Sequence, residues 1–143
     1  MKDVVRDGWR RLPSTANADW YEVDRDVLAI VPHADARDTE ASARESIAIQ
    51  RAHWQGAGHR GGVIVFMENL LDQDSGARAV YMKESDPGCT TCYALVGGTF
   101  FSQAIASVFT GLARPKVPTS IFRTLDDALP WVAEMNRRHG GPL

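Results

Sequence analysis

The chain has little cysteine: two residues in 143, Cys89 and Cys92. That is too few for a disulfide-stapled secreted scaffold, and the expected setting is a reducing cytoplasm. Long hydrophobic runs are missing as well. The longest, such as Val63 to Met67, fall far short of the ~20 apolar residues that a spanning helix needs, so no membrane span is expected. The stretch from Met1 to Trp9 is broken by charge and lacks the apolar centre of a secretory signal. Excess charge of one sign is also absent. With 16 basic and 18 acidic residues the formal net charge is -2, which gives no general attraction to phosphate backbones, so nucleic acid is not an expected partner.

What is present suits one globular core. Hydrophobic residues make up 44% and charged residues 24%, close to the globular average, and the length fits a single domain. Residues 1–19 mix charge with Pro13 and a Ser14-Thr15-Ala16-Asn17 stretch. They read as an irregular arm, anchored by Trp9, ahead of one domain over 20–143.

Trp20–Val23 and Val27–Val31 are β-prone runs around the polar turn Asp24-Arg25-Asp26, which predicts a hairpin ended by Pro32. Asp35 is the expected cap of a helix running to about Trp54, with Ala43, Ile47 and Trp54 on one face. The glycines at 56, 58, 61 and 62 stop it, and Val63–Met67 follows as a central buried strand. Ala77–Glu84 fits a short helix, with a strand as the competing reading. Asp86-Pro87-Gly88 fits a turn and Tyr93–Val96 another buried strand.

Thr99 is the expected cap of a helix whose stripe is Phe101, Ile105, Val108 and Leu112. Arg114-Pro115-Lys116 ends that helix. Val117–Phe122 then reads as a strand, placed at an edge by Pro118. A last helix starts at Thr124, capped by that residue, with Leu125, Ala128, Leu129, Val132 and Met135 as its apolar face; Pro130 conflicts with it. The alternation predicts an α/β domain with a mixed sheet of four or five strands flanked by helices.

Residues 61 to 133 resemble the SpoIIAA-like branch of the STAS superfamily, including bacterial proteins called STAS/SEC14-like. The resemblance is carried by Ala94-Leu95-Val96-Gly97-Gly98-Thr99-Phe100-Phe101, by Pro118-Thr119-Ser120-Ile121-Phe122-Arg123, and by Asp127-Ala128-Leu129-Pro130-Trp131-Val132. It implies a SpoIIAA-like fold and a non-enzymatic regulatory or protein-interaction role resembling anti-sigma-factor antagonists. In those proteins an Asp-Ser segment after a buried strand carries a regulatory phosphoserine. Here Asp74-Ser75-Gly76 follows Val63–Met67 at similar spacing, with one serine fewer and no acidic residue at the strand end. The likeness to SEC14-type domains implies the alternative, a small apolar or lipid-like ligand.

Chemistry-bearing residues are sparse. Asp74, Ser75 and Gly76 are the candidate phosphoacceptor or interaction turn, since a phosphate at a helix start meets free N–H groups, while a plain capping turn is the competing reading. Cys89-Thr90-Thr91-Cys92 has the spacing of a redox pair or half a zinc site, but no second pair completes a metal site, and serine at both positions is expected to leave folding intact. Gly56-Ala57-Gly58-His59-Arg60-Gly61-Gly62 follows a helix and precedes a strand, the reverse of a phosphate loop. His33, His53, His59 and His139 form no ligand motif. Trp20, Trp54, Trp131, Phe100 and Phe101 are expected mainly in the core, with a share left to line a pocket or an interface. No catalytic residue, metal or cofactor is implied. The expected partner is another protein, and a homodimer is the expected assembly because two-fold pairs are the commonest oligomers.

Overall fold

The computed structural model describes residues 4–97 and 116–143, with Leu71 and Asp72 described at the backbone alone. Eight strands and three α-helices lie among them: β1 Arg10–Leu12, β2 Ala18–Asp24, β3 Val27–Pro32, β4 Ala36–Asp38, α1 Glu40–Ala57, β5 Gly61–Phe66, β6 Leu70–Gln73, α2 Ser75–Glu84, β7 Thr90–Val96, β8 Thr119–Phe122 and α3 Leu125–His139. A 3₁₀ turn, Met67–Asn69, joins β5 to β6. The main sheet has six strands in the order β1-β2-β3-β5-β7-β8, and β4 and β6 pair separately.

The expected α/β class with a mixed sheet is present, with more strands than the four or five expected. Three additions account for the difference: β1 in the main sheet, and the separate pair β4 and β6. Arg10–Leu12 pairs antiparallel with β2 through Leu12↔Trp20, so part of the presumed irregular arm belongs to the sheet. Ala36–Asp38 pairs in parallel with β6. These strands are three or four residues long, and so short a run carries no periodicity of its own. Trp9 does anchor the arm, with its ring 6.0 Å from Tyr21 and 6.2 Å from Phe66.

Local chemistry explains the boundaries. β2 and β3 form the expected hairpin, with a register shift between Glu22 and Asp24. The first helix begins later than Asp35 predicts. Asp35 takes a left-handed φ of 60° in the turn before β4, and Thr39 caps α1 instead. Its hydroxyl accepts the Ser42 N–H at 3.2 Å while the Ser42 hydroxyl accepts the Thr39 N–H at 2.8 Å. Gly58 closes the helix at φ 79°. Ala77–Glu84 is helical as read, starting two residues earlier at Ser75. Pro130 is accommodated inside α3 on its exposed side, and Asp126, whose carbonyl loses a donor, is exposed too. Thr99 and the stripe Phe101, Ile105, Val108 and Leu112, together with Phe100 and the Arg114-Pro115 break, lie outside the described residues.

Alternation along the strands sends side chains to two faces. One carries Tyr21, Ala29, Ile64, Cys92 and Ala94 against Leu125, Ala128 and Val132 of α3. The other carries Trp20, Leu28, Ile30, Val63, Tyr93 and Leu95, joined by Trp54 of α1. Helix α1 meets α2 through Ala43, Ile47, Ala77 and Val80. No helix among the described residues is long and apolar enough to cross a membrane.

Candidate functional site

A cavity of about 110 Å³ lies on the α1 and α2 side of the sheet. Its floor follows from strand register: Trp20 pairs with Ile30, Ile30 with Val65, and Val65 with Leu95, so one lateral row crosses β2, β3, β5 and β7. All four line the cavity, with Ala18, Met67 and Leu70 beside them. Polar groups enter from the opposite wall. Helix α1 supplies Ser42, Ser46 and Gln50, spaced four apart and therefore stacked on one helical face. Strand β4 supplies Asp38, β6 Gln73, α2 Tyr81 and Ser85, and β7 Tyr93. Glu45, on the same helix, lines the cavity from an exposed position.

Most of these polar groups are tied to one another. The buried Gln50 accepts the Tyr93 hydroxyl at 2.6 Å on Oε1 and donates through Nε2 to Ser46 Oγ at 3.2 Å. Burial pushes the Tyr93 phenol up to about 12, so this hydroxyl stays a donor at neutral pH. Asp38 receives the Ser42 hydroxyl at 2.5 Å on Oδ1 and the Gln73 amide at 3.1 Å on Oδ2. Tyr81 is held well above the ordinary phenol range, first by burial and then by the Asp38 carboxylate that its hydroxyl bonds. The indole N–H of Trp20 stands apart. Trp20 is 1% exposed, and that N–H has no hydrogen-bond partner. A buried donor left unpaired costs ~1–3 kcal/mol, and the Ser85 hydroxyl beside the cavity is likewise buried without a hydrogen-bond partner among the described residues.

A second recess, of about 500 Å³, opens at the carboxyl ends of the parallel strands among Val5, Phe66, Val96 and Thr124. Its charged groups, Arg6, Glu68 and Arg123, are exposed, and Arg6 already pairs with Asp126 at 2.9 Å. Carboxyl ends of parallel strands are a common ligand position. The converging buried polar groups nevertheless lie in the first cavity, and the site is placed there.

The residues singled out by sequence fall elsewhere. Asp74 caps α2, accepting the Ala77 N–H at 2.7 Å, and Ser75 is the exposed first residue of that helix. Gly76 sits close to Glu40, where an added Cβ would lie 3.2 Å from the Glu40 Cβ. The two thiols are not brought together. Cys89 packs on the α1 side of the sheet and Cys92 on the α3 side, and both are free and buried. Burial raises both thiols, Cys92 to about 11, which disfavours the thiolate. Among the described residues no group of His, Cys, Asp and Glu is arranged to hold a metal.

Packing explains the glycine pair. A Cβ on Gly61 would lie 2.2 Å from the Trp54 ring, and one on Gly62 would lie 2.8 Å from Val132 and 2.9 Å from Cys92 Sγ. His33 joins Asp19 and Ser14 in a surface cluster with the wrong order for catalysis. Its Nε2 faces Asp19 at 3.0 Å and its Nδ1 faces the Ala16 carbonyl at 3.1 Å, while Ser14 donates to Asp19 at 2.7 Å. No ring nitrogen is left for the serine hydroxyl. Of the aromatic residues expected in the core, Trp54 fills it, Trp131 packs at 5.3 Å on Phe122, and Trp20 lines the cavity. Asp38, Gln50, Tyr81 and Tyr93 were not foreseen from sequence. The one available signal was the polar repeat Ser42, Ser46, Gln50 within a helix that is otherwise apolar on its inner side.

Comparison with known proteins adds a family and a distant structure. The structure is similar to a crystal structure of an uncharacterized protein from the DUF3478 family with a SpoIIAA-like fold, from Shewanella loihica PV-4. The match has 13% sequence identity, covers 91% of this chain and 99% of that one, and has a TM-score of 0.49. No curated protein matches the chain. The model of the family described as a domain of unknown function, DUF7793, matches residues 21–136, and the chain belongs to that family.

Proposed function

We propose that this chain is a non-enzymatic binding domain whose site is the cavity between the main sheet and helices α1 and α2, and whose ligand is small and mostly apolar. One observation carries the reading: a cavity whose apolar floor of Trp20, Ile30, Val65 and Leu95 is met by the polar groups Asp38, Ser42, Ser46, Gln50 and Tyr81. Ligand pockets are characteristically apolar with a few placed polar groups. Cavities on the order of 150 Å³ hold a single aromatic ring, so the size suits a ring-sized body. Titration with benzyl alcohol, followed by calorimetry, tests this. Saturable one-to-one binding is expected, and its loss is expected in Ala36→Leu, which adds bulk at the lining. Absence of saturable binding to the folded wild type contradicts the reading.

A regulatory, protein-interaction role at Asp74, Ser75 and Gly76 is the second reading. The exposed Ser75 begins the same helix that delivers Tyr81 and Ser85 to the cavity. A phosphate there would meet the helix dipole favourably, but it would also sit beside Asp74 and Glu40. Those like charges would oppose the α1–α2 contact. Mass spectrometry of the protein from its native cell reads this directly: phosphate on Ser75 supports the switch and an unmodified Ser75 under all growth conditions removes it. A homodimer remains part of that proposal, read by light scattering over a wide concentration range.

A further inference from the structure

The charge pattern of the cavity narrows the ligand class. No Lys, Arg or His side chain lines it among the described residues, whereas two carboxylates do, Asp38 and Glu45. The nearest basic groups are engaged elsewhere: Arg44 with Glu40 and Glu84, Arg11 with Asp19, and Arg78 with the Gln73 carbonyl. The hydrogen bonds to Asp38 come from the neutral groups Ser42, Gln73 and Tyr81. Among the described residues its negative charge is thus solvated by dipoles, with no cation paired to it. A carboxylate offers about four lone-pair sites, so one is left for a further donor.

Aromatic side chains complete the pattern. Trp20, Tyr81 and Tyr93 all line the cavity, and their ring faces attract cations, most strongly where water is excluded. A carboxylate ligand would instead be brought beside Asp38 and Glu45 in a partly dry space.

We infer that the cavity selects a compact organic cation, a protonated amine on a ring-sized apolar body, over a carboxylate of the same size. The inference rests on reading the cavity as a ligand site. Benzylamine, benzyl alcohol and benzoate share one ring and differ in the charge of the attached group, which makes them the probes. Calorimetry on the whole chain at neutral pH should give benzylamine the lowest Kd, benzyl alcohol an intermediate one, and benzoate a Kd at least about tenfold above benzylamine. Asp38→Asn, which keeps an acceptor for Ser42 or Gln73, should remove most of the preference for benzylamine over benzyl alcohol. Glu45→Gln, at an exposed position that bears little on folding, should weaken benzylamine alone and by less.

Benzoate binding as tightly as benzylamine overturns the inference, as does an amine preference that survives both substitutions. Benzyl alcohol binding with no gain for the amine removes the charge preference and leaves the cavity reading standing. Failure of all three probes on folded protein removes both.

Discussion

The two faces of the main sheet are built differently. Against α3 the contacts are apolar and close: Val132, Ala128, Cys92, Ala94 and Ile64 are each 0% exposed. The main polar tie on that side is Asn136, which accepts the Thr91 hydroxyl at 2.5 Å and donates to the Asp26 carbonyl at 2.8 Å. Against α1 and α2 the same strands meet a helix face bearing Ser42, Ser46 and Gln50, and space remains between them. One face is closely packed and the other is held apart by polar groups that are largely bonded to one another. Stability is therefore expected to reside in the α3 face and the Trp54 contact, and binding in the rest of the α1–α2 face.

The largest expected loss comes where the packing is tightest. Gly61→Ala would place a methyl inside the Trp54 ring. Neither backbone nor indole has room to yield, so the cost is expected to reach about 3 kcal/mol or more in urea unfolding. A cost under about 1 kcal/mol would show that Trp54 can repack. Next, Val132→Ala on the close-packed face should cost about 2 kcal/mol, while Val65→Ala, half-buried over the cavity, should cost less than about 1 kcal/mol. Equal losses would break the contrast between the faces.

The cysteines sharpen it further. Serine at both positions was expected from sequence to leave folding intact, but the burial sites differ. Cys92→Ser introduces a hydroxyl among Ile64, Ala94 and Val132, with an expected cost of about 1–2 kcal/mol. The Cys89 thiol points to Asp86 Oδ2 at 3.5 Å, a bond that a serine hydroxyl can also make. Cys89→Ser is expected to cost less than Cys92→Ser, about 0.5 kcal/mol, because the hydroxyl keeps the bond to Asp86. Thermal melts of the two single variants read this directly.

The smallest effect concerns acid. Burial lowers the His53 pKa, against a weaker opposing pull from Glu22, whose carboxylate lies 3.6 Å away. A folded-state pKa below the unfolded one adds stability that is complete above the unfolded value of about 6.5 and is lost as pH falls through the folded value. The Tm should therefore fall on acidification below about pH 6.5, and His53→Gln should flatten that part of the profile. An unchanged slope in the variant would assign the acid response to other groups.

Much of the architecture was legible because long elements carry their own periodicity. The hairpin, α1, β5, α2 and the capped start of α3 all follow from spacing and caps present in the chain. β1, β4 and β6 were not legible, because three or four residues cannot show a period, and the β4–β6 pair joins segments more than 30 residues apart. The site was less legible still. Its residues come from at least eight elements, and its floor is set by the register that aligns Trp20, Ile30, Val65 and Leu95. Glycines at 61 and 62 were readable as a helix stop, whereas their close contacts with Trp54 and Val132 depend on how helices lie on the sheet.

The central claim is that the α1–α2 face binds and the α3 face only packs. Methyl-labelled protein titrated with benzyl alcohol and followed by NMR tests it most directly, because both faces carry reporters. The account predicts saturable shifts at Ile30, Val65, Met67, Leu70 and Leu95, with Ile64, Ala128 and Val132 unmoved. Shifts confined to the α3 face, or none at any cavity methyl while the protein stays folded, would contradict it.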